Sequence, residues 1–310
     1  MENRIILDVR HLTTVFHRGK EKSTVVENLS FSLYERETLG IVGESGSGKS
    51  VTALSIMGLI PSPDGNIEHG EILFYDREDK TSDLLCLHEK EMQEIRGKKI
   101  SMIFQEPMTS LNPVFSCGMQ VSEVLRKQLK MDRKKARERT LELFSEVRLP
   151  DPGKTFSSYQ HQLSGGQRQR VMIAMAVACQ PKVLIADEPT TALDVTVQKT
   201  ILGLMKEIQR KYGMSILFIT HDLGLVADLA DRILVMYRGK AVEESTPGSL
   251  FRTPRHPYTR GLISCRPPSN LRLKRLPTVE DFLGKNVIPG QGTEEDSGSL
   301  FSFGNIESAG

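Results

Sequence analysis

The residues Gly43-Glu44-Ser45-Gly46-Ser47-Gly48-Lys49-Ser50 are the densest piece of chemistry in the chain. They follow a short apolar run, Leu39 to Val42, that reads as a buried strand. They precede a stretch from Lys49 to Ile60 that reads as a helix, stopped by Pro61-Ser62-Pro63-Asp64-Gly65. Glycines let successive backbone N–H groups converge on phosphate oxygens, and a helix starting at the end of the loop adds the positive end of its dipole. In such a cradle Lys49 reaches the β- and γ-phosphates of a nucleotide, and Ser50 offers a hydroxyl to Mg²⁺. The alternative is a chance glycine turn, which has no need of a strand before it and a helix after it.

Two further groups bear on the same chemistry. Val183 to Ala186 reads as a strand buried in mid-sheet, and it ends in Asp187 and Glu188. Acids at the C-terminal end of such a strand emerge beside the phosphate loop. Asp187 is placed to hold Mg²⁺, and Glu188 to orient or deprotonate an attacking water. Alone, a strand ending in two acids is equally an ordinary loop start; the cradle upstream favours the functional reading. Leu163-Ser164-Gly165-Gly166-Gln167 opens a helix, so it is a second anion-binding helix start, with Ser164 also suited to be the helix N-cap. One nucleotide does not need two such starts in one chain. A nucleotide sandwiched between two chains does.

The elements that must position these groups can be read from pattern. Strands are expected at Ile5 to Val9, Val25 to Leu33, Glu71 to Tyr75, Ile100 to Gln105, Ile216 to Ile219, Ile233 to Met236 and Lys240 to Glu243. Helices are expected at Met119 to Lys130, Lys134 to Val147 (with Leu141, Phe144 and Val147 on one stripe), Gly165 to Ala178, Val195 to Tyr212 closed by Gly213, and His256 to Ser264. Beyond Cys265 the texture changes, and Gly290 to Gly310 reads as a flexible tail. A chain of 310 residues suits one large α/β domain with an appendage, or two small domains. Lys plus Arg number 41 against 39 Asp plus Glu, so nothing in the charge balance points to nucleic acid. No run of about 18 apolar residues spans a bilayer, and the start, MENRIILDVR, lacks the apolar core of a secretion signal. The four cysteines, Cys86, Cys117, Cys179 and Cys265, are scattered without CxxC spacing and read as ordinary thiols.

Cradle, LSGGQ run, Asp-Glu strand end, Thr191-Ala192-Leu193-Asp194 and Thr220-His221-Asp222 follow one another in an order that resembles the ABC-transporter ATPase family, over about Ile5 to Ser264. The resemblance implies an α/β fold: a P-loop NTPase (RecA-like) core with an N-terminal antiparallel β-subdomain and a helical subdomain inserted at about 106–165. The ATPase domain would cover 1–264, with a C-terminal extension over 265–310. It implies ATP and Mg²⁺ as cofactors, bound by Gly43 to Ser50, with Ser50, Gln105 and Asp187 toward the metal. Glu188, His221 and Gln105 are implied as the catalytic set, His221 as a γ-phosphate contact; outside the family a lone His after a strand is more often structural. Ser164, Gly165, Gly166 and Gln167 would meet the nucleotide held by the opposite domain, and Asp194 would communicate across that dimer. Phe16 would stack on adenine, although a core Phe is an alternative and His17 is adjacent. Thr191 stands where the family commonly has Ser.

Gln105-Glu106-Pro107-Met108-Thr109-Ser110-Leu111-Asn112-Pro113 and His256-Pro257-Tyr258-Thr259-Arg260-Gly261-Leu262 narrow the resemblance to the oligopeptide, dipeptide and nickel importer ATPases. That implies transmembrane permease subunits, a second ATPase domain (a copy or a sibling) and an extracytoplasmic solute-binding protein as partners, and a place on the cytoplasmic face of the inner membrane. Many members carry a cysteine cluster after this point. Here Cys265 stands alone, so no iron–sulfur cluster is expected. The rival readings are a soluble ABC ATPase acting on DNA or the ribosome, and an ATP-binding module that does not hydrolyse. No second ATPase domain, coiled coil or zinc finger is visible to favour the first, and Glu188, Gln105 and His221 together argue against the second.

Overall fold

A computed structural model describes residues 4–19, 21–77, 80–105, 110–191 and 193–265, together with Phe282. The tail expected over 290–310 and residues 106–109 lie outside these. The first sheet is antiparallel, in the order β2-β1-β4-β5, from β1 (Ile5–Arg18), β2 (Glu21–Tyr34), β4 (Gly65–Arg77) and β5 (Lys80–Asp83). The second has the order β10-β9-β3-β8-β7-β6, from β3 (Thr38–Val42), β6 (Ile100–Ile103), β7 (Val183–Asp187), β8 (Ser215–Thr220), β9 (Arg232–Tyr237) and β10 (Lys240–Ser245). Strands β9, β3, β8, β7 and β6 are parallel, and β10 closes the edge antiparallel to β9.

Side chains alternate across a strand, and here the alternation divides the core in two. Val183 and Ile185 of β7 join Leu39, Ile41, Leu217 and Ile219 under the first sheet and α1 (Lys49–Met57). Leu184 and Ala186 face the other way, with Ile216, Phe218, Ile233 and Val235. There they meet α6 (Gly165–Val177), α7 (Val195–Tyr212) and α8 (Leu223–Leu229). Helices α3 (Cys117–Leu129), α4 (Arg133–Glu146) and α5 (Pro152–Ser157) pack on one another, and α3 and α4 also pack on α6. Asp132 caps α4 by accepting the N–H groups of Lys134 and Lys135. The buried stripe of α4 is Ala136, Thr140, Leu143 and Phe144, continued by Val147, whereas Leu141 is only half-buried.

Several expected boundaries move. β1 and β2 run well past Val9 and begin well before Val25. His11 (φ 50) and Asn28 (φ 49) bulge out of the ladder, and the register shifts between Val9 and Leu12. A bulge breaks the two-residue alternation that marks a strand, so the pattern of β1 reads as ending at Val9, just before His11. Helix α1 stops at Gly58, not at Pro61. Gly58 is left-handed (φ 60), and its N–H closes on Leu54 and Ser55. β6 ends at Ile103, two residues short of the expected end. β5, α2 (Glu89–Ile95), α5, α8 and α9 (Pro247–Arg252) are short pieces with little or no periodicity of their own. Helix α10 (Pro257–Ser264) and α7 fall where expected, with His256 and Gly213 as their respective caps.

Candidate active site

The parallel register gathers the chemistry at one edge. Val42 pairs with Thr220, Asp187 with Ile219, and Ile103 with Ala186. The chain therefore leaves β3, β8, β7 and β6 on the same side, carrying the cradle, His221, Glu188 and Gln105 with it. The cradle is tightly seated. A Cβ at Gly43 would lie 2.2 Å from the carbonyl oxygen of Met236, and Gly48, at φ 98, would meet the Val25 carbonyl at 2.7 Å. Neither place admits a side chain.

Lys49 is 5% exposed. Its Nζ donates to the carbonyl oxygens of Gly43 and Glu44, both at 2.8 Å, and lies 3.4 Å from Ser47 Oγ. Burial lowers its ammonium below the ordinary lysine range, while Glu188, Asp187 and Glu44 pull it back. Two carbonyls and a hydroxyl are a neutral substitute for phosphate oxygens, so the ammonium is already directed into the loop. Ser50 Oγ donates to Asp187 Oδ1 at 3.0 Å. Burial pushes the Asp187 carboxyl up to about 6, against that hydrogen bond. A buried carboxylate beside a hydroxyl is a donor set suited to a small hard cation such as Mg²⁺.

Glu188 faces different partners from its neighbour. Its Oε2 accepts Gln105 Nε2 at 3.1 Å and Thr191 Oγ1 at 2.9 Å, and its Oε1 lies 3.0 Å from His221 Nδ1. Burial works to raise this carboxyl, but the hydrogen bonds from His221 and Thr191 outweigh it and hold it below the usual range. The backbone at Glu188 is left-handed, φ 46, with its N–H on the Ile219 carbonyl at 2.9 Å. A non-glycine residue held there costs on the order of 1–3 kcal/mol, a strain that concentrates at functional sites. It turns the chain so that successive acids point apart.

The LSGGQ run is a separate assembly. Ser164 caps α6 by accepting Gln167 N–H at 3.3 Å, and Gln167 Oε1 accepts the Ser164 N–H at 2.9 Å. A Cβ on Gly165 would lie 3.4 Å from Leu193, and one on Gly166 3.0 Å from Val197. Asp194 caps α7 by accepting Val197 N–H at 2.9 Å. The run and the Asp194 loop therefore lie together, and among the described residues none of their hydrogen bonds reaches the cradle. Phe16 is half-buried in β1, paired with Ser23 and Gly65, and His17 beside it is exposed. Two participants were not legible in advance: Thr191 as a Glu188 partner, and Tyr258, whose hydroxyl accepts the Glu44 N–H at 2.9 Å. The one hint for the second was its place in the HPYTRGL run. Among the described residues no helix is long and apolar enough to cross a membrane.

Comparison with known proteins agrees with this arrangement. The sequence profile of the family described as ABC transporter matches residues 26–191. The oligopeptide transport ATP-binding protein OppD of Bacillus subtilis is 53% identical over 262 residues, 84% of this chain and 72% of that protein. The glutathione import ATP-binding protein GsiA of Pectobacterium atrosepticum is 48% identical over 287 residues, 92% of this chain and 46% of that protein, so the chain spans less than half of that relative's length. A dimeric post-hydrolysis structure of the ATP-binding cassette MJ0796, bound to ADP and Pi, matches with a TM-score of 0.69 at 28% identity, covering 78% of this chain and 99% of that one. The matched span runs from Val26 of β2, through the cradle and the LSGGQ run, to Thr191 beside Glu188, and the identity extends over most of the chain: it belongs to the ABC transporter family of ATP-binding proteins.

Proposed function

We propose that this chain binds and hydrolyses ATP to energise an ABC transporter, and that the cargo is a peptide or a related solute such as nickel. The observation that carries the reading is the divided pair of acids: Asp187 bound to Ser50, Glu188 held by Gln105, Thr191 and His221. Lys49 would exchange its carbonyl partners for the β- and γ-phosphates. Mg²⁺ would be held by Ser50 and Asp187, with Gln105 toward it, and when bound it supplies neutralisation of phosphate charge. Glu188, kept ionised by its partners, takes the proton of the attacking water, and His221, exposed beside it, contacts the γ-phosphate. Phe16 is the candidate for the adenine face.

The exposed LSGGQ helix start, apart from the cradle, supports a second ATPase domain as partner, a copy of this chain or a sibling, that receives Ser164 to Gln167 and Asp194. The cassette of the structural relative is itself dimeric. Between Phe104 and Met119 large apolar side chains stay exposed, Phe104, Val114, Phe115 and Met119 among them. This surface suits a helix of a transmembrane permease, which would place the chain on the cytoplasmic face of the inner membrane with a solute-binding protein opposite. The peptide class rests on the names of the relatives. Phosphate release by the parental protein and by Glu188→Gln tests the ATPase. Uptake of labelled di- and oligopeptides by cells with and without the intact gene tests the cargo; unaltered uptake would remove the peptide assignment.

A further inference from the structure

Helix α10 lies beyond residues 26–191, the span the family profile matches, yet its first turn reaches the cradle. Its entry is firmly placed. Glu243 of β10 accepts the N–H groups of Arg255 and His256, each at 2.9 Å, and His256 Nδ1 accepts the Tyr258 N–H at 3.2 Å. These bonds set Tyr258 in a fully buried position, its ring 4.2 Å from that of Tyr237 on β9. Tyr258 Oη accepts the Glu44 N–H at 2.9 Å. The Glu44 carbonyl in turn accepts Lys49 Nζ at 2.8 Å. A line of hydrogen bonds thus runs from the C-terminal helix through one loop residue to the cradle lysine. Further along α10, Leu262 lines a cavity of about 240 Å³ with His221, Asp222 and Leu223.

We propose that Tyr258 is a positioning residue for nucleotide binding: it holds Glu44, and so fixes the carbonyl on which the Lys49 ammonium rests before phosphate arrives. Glu44 is exposed, and among the described residues the loop's own backbone ties it through the Ser47 N–H on its carbonyl, a long bond at 3.2 Å. The buried phenol is rigid, with few free torsions, and its oxygen receives the Glu44 N–H at 2.9 Å. A hold of that kind pre-organises the cradle, and pre-organisation appears as affinity for the ligand, not as rate once the ligand is bound.

The proposal rests on the reading of this loop as an ATP cradle, and the experiment separates the two. Tyr258→Phe keeps the ring and its packing on Tyr237 and removes only the oxygen. Titration with a fluorescent ATP analogue and Mg²⁺, steady-state hydrolysis and thermal melting are measured for the parental protein, Tyr258→Phe, Glu44→Ala, the double variant and Lys49→Ala. Loss of one such hydrogen bond is expected to weaken nucleotide binding and raise KM about 3- to 10-fold, with kcat within about twofold of parental. Glu44→Ala keeps the backbone N–H and carbonyl through which the link runs, so Tyr258→Phe should weaken binding by a similar factor in that background. Parental affinity in Tyr258→Phe alongside loss of binding in Lys49→Ala overturns the proposal and spares the cradle. Parental binding by Lys49→Ala removes the cradle itself. A fall in kcat or in melting temperature with KM unchanged, or no further loss of affinity when Tyr258→Phe is added to Glu44→Ala, makes Tyr258 a packing residue and overturns the proposal.

Discussion

The loop before α1 and the turn before α6 both end in a helix N-terminus rich in glycine, yet they are finished to different degrees. At α1 the N-cap is Gly48, with no side chain to satisfy the first N–H groups, while the lysine and serine that follow are already directed by Gly43, Glu44 and Asp187. At α6 the cap is Ser164, and Ser164 and Gln167 satisfy each other in a capping box on an exposed turn. An uncapped helix start costs free energy that an anion restores. A capped one is stable by itself and keeps its remaining donors for whatever the outside brings. In the proposed function the first holds the phosphates with groups of this chain alone, and the second meets the nucleotide of another domain.

The sharpest way to break that contrast is Lys49→Ala. If the cradle is the complete site, this change removes the cation that meets the β- and γ-phosphates, and ATP binding measured by equilibrium titration should fall close to nothing. Tight binding by the variant would mean that the two helix starts are not different in kind. Next in size is Glu188→Gln, which preserves shape and removes the proton acceptor. Steady-state phosphate release should drop about 10²- to 10⁴-fold, while binding persists because Lys49 and Ser50 are untouched. Size-exclusion chromatography with ATP and Mg²⁺ should then trap a dimer, either of this chain or with a sibling when that is supplied. Hydrolysis at the parental rate would take Glu188 out of the mechanism.

Ser164→Ala has the smallest effect and the most specific one. Loss of a Ser N-cap costs about 0.5–2 kcal/mol, so the melting temperature should fall by a few degrees. ATP affinity of the isolated chain should stay within about twofold, and hydrolysis, which needs the closed pair, should fall. A matching loss of ATP affinity in the monomer would place Ser164 in the same site as Lys49 and erase the distinction.

Much of the architecture follows from local pattern. β3, β7 and β8 are mostly apolar and buried on both faces, so they read as mid-sheet strands, and Gly213 closes α7 at the expected residue. The long antiparallel strands were harder, since the bulges at His11 and Asn28 are held by a cross-strand pair, His11 Nδ1 on Asn28 Oδ1 at 2.8 Å, that no single stretch of sequence contains. α8 and α9, seven and six residues long, are too short for a helical period to declare itself.

The sequence by itself determined the chemical groups and where each must emerge: the cradle, the acids after a buried strand, the second glycine-rich helix start, and their order. Spacing can do this because a helix start and a strand end are local objects, made by neighbours. Only the tertiary structure decided which group faces which. At Glu188 the backbone is left-handed and its N–H bonds the Ile219 carbonyl of a neighbouring strand; its side chain meets Gln105, Thr191 and His221 while Asp187 meets Ser50. Tyr258 meets Glu44 across 214 positions of chain. Such contacts depend on how sheet and helices pack, and packing is a property of the whole chain that no local spacing records.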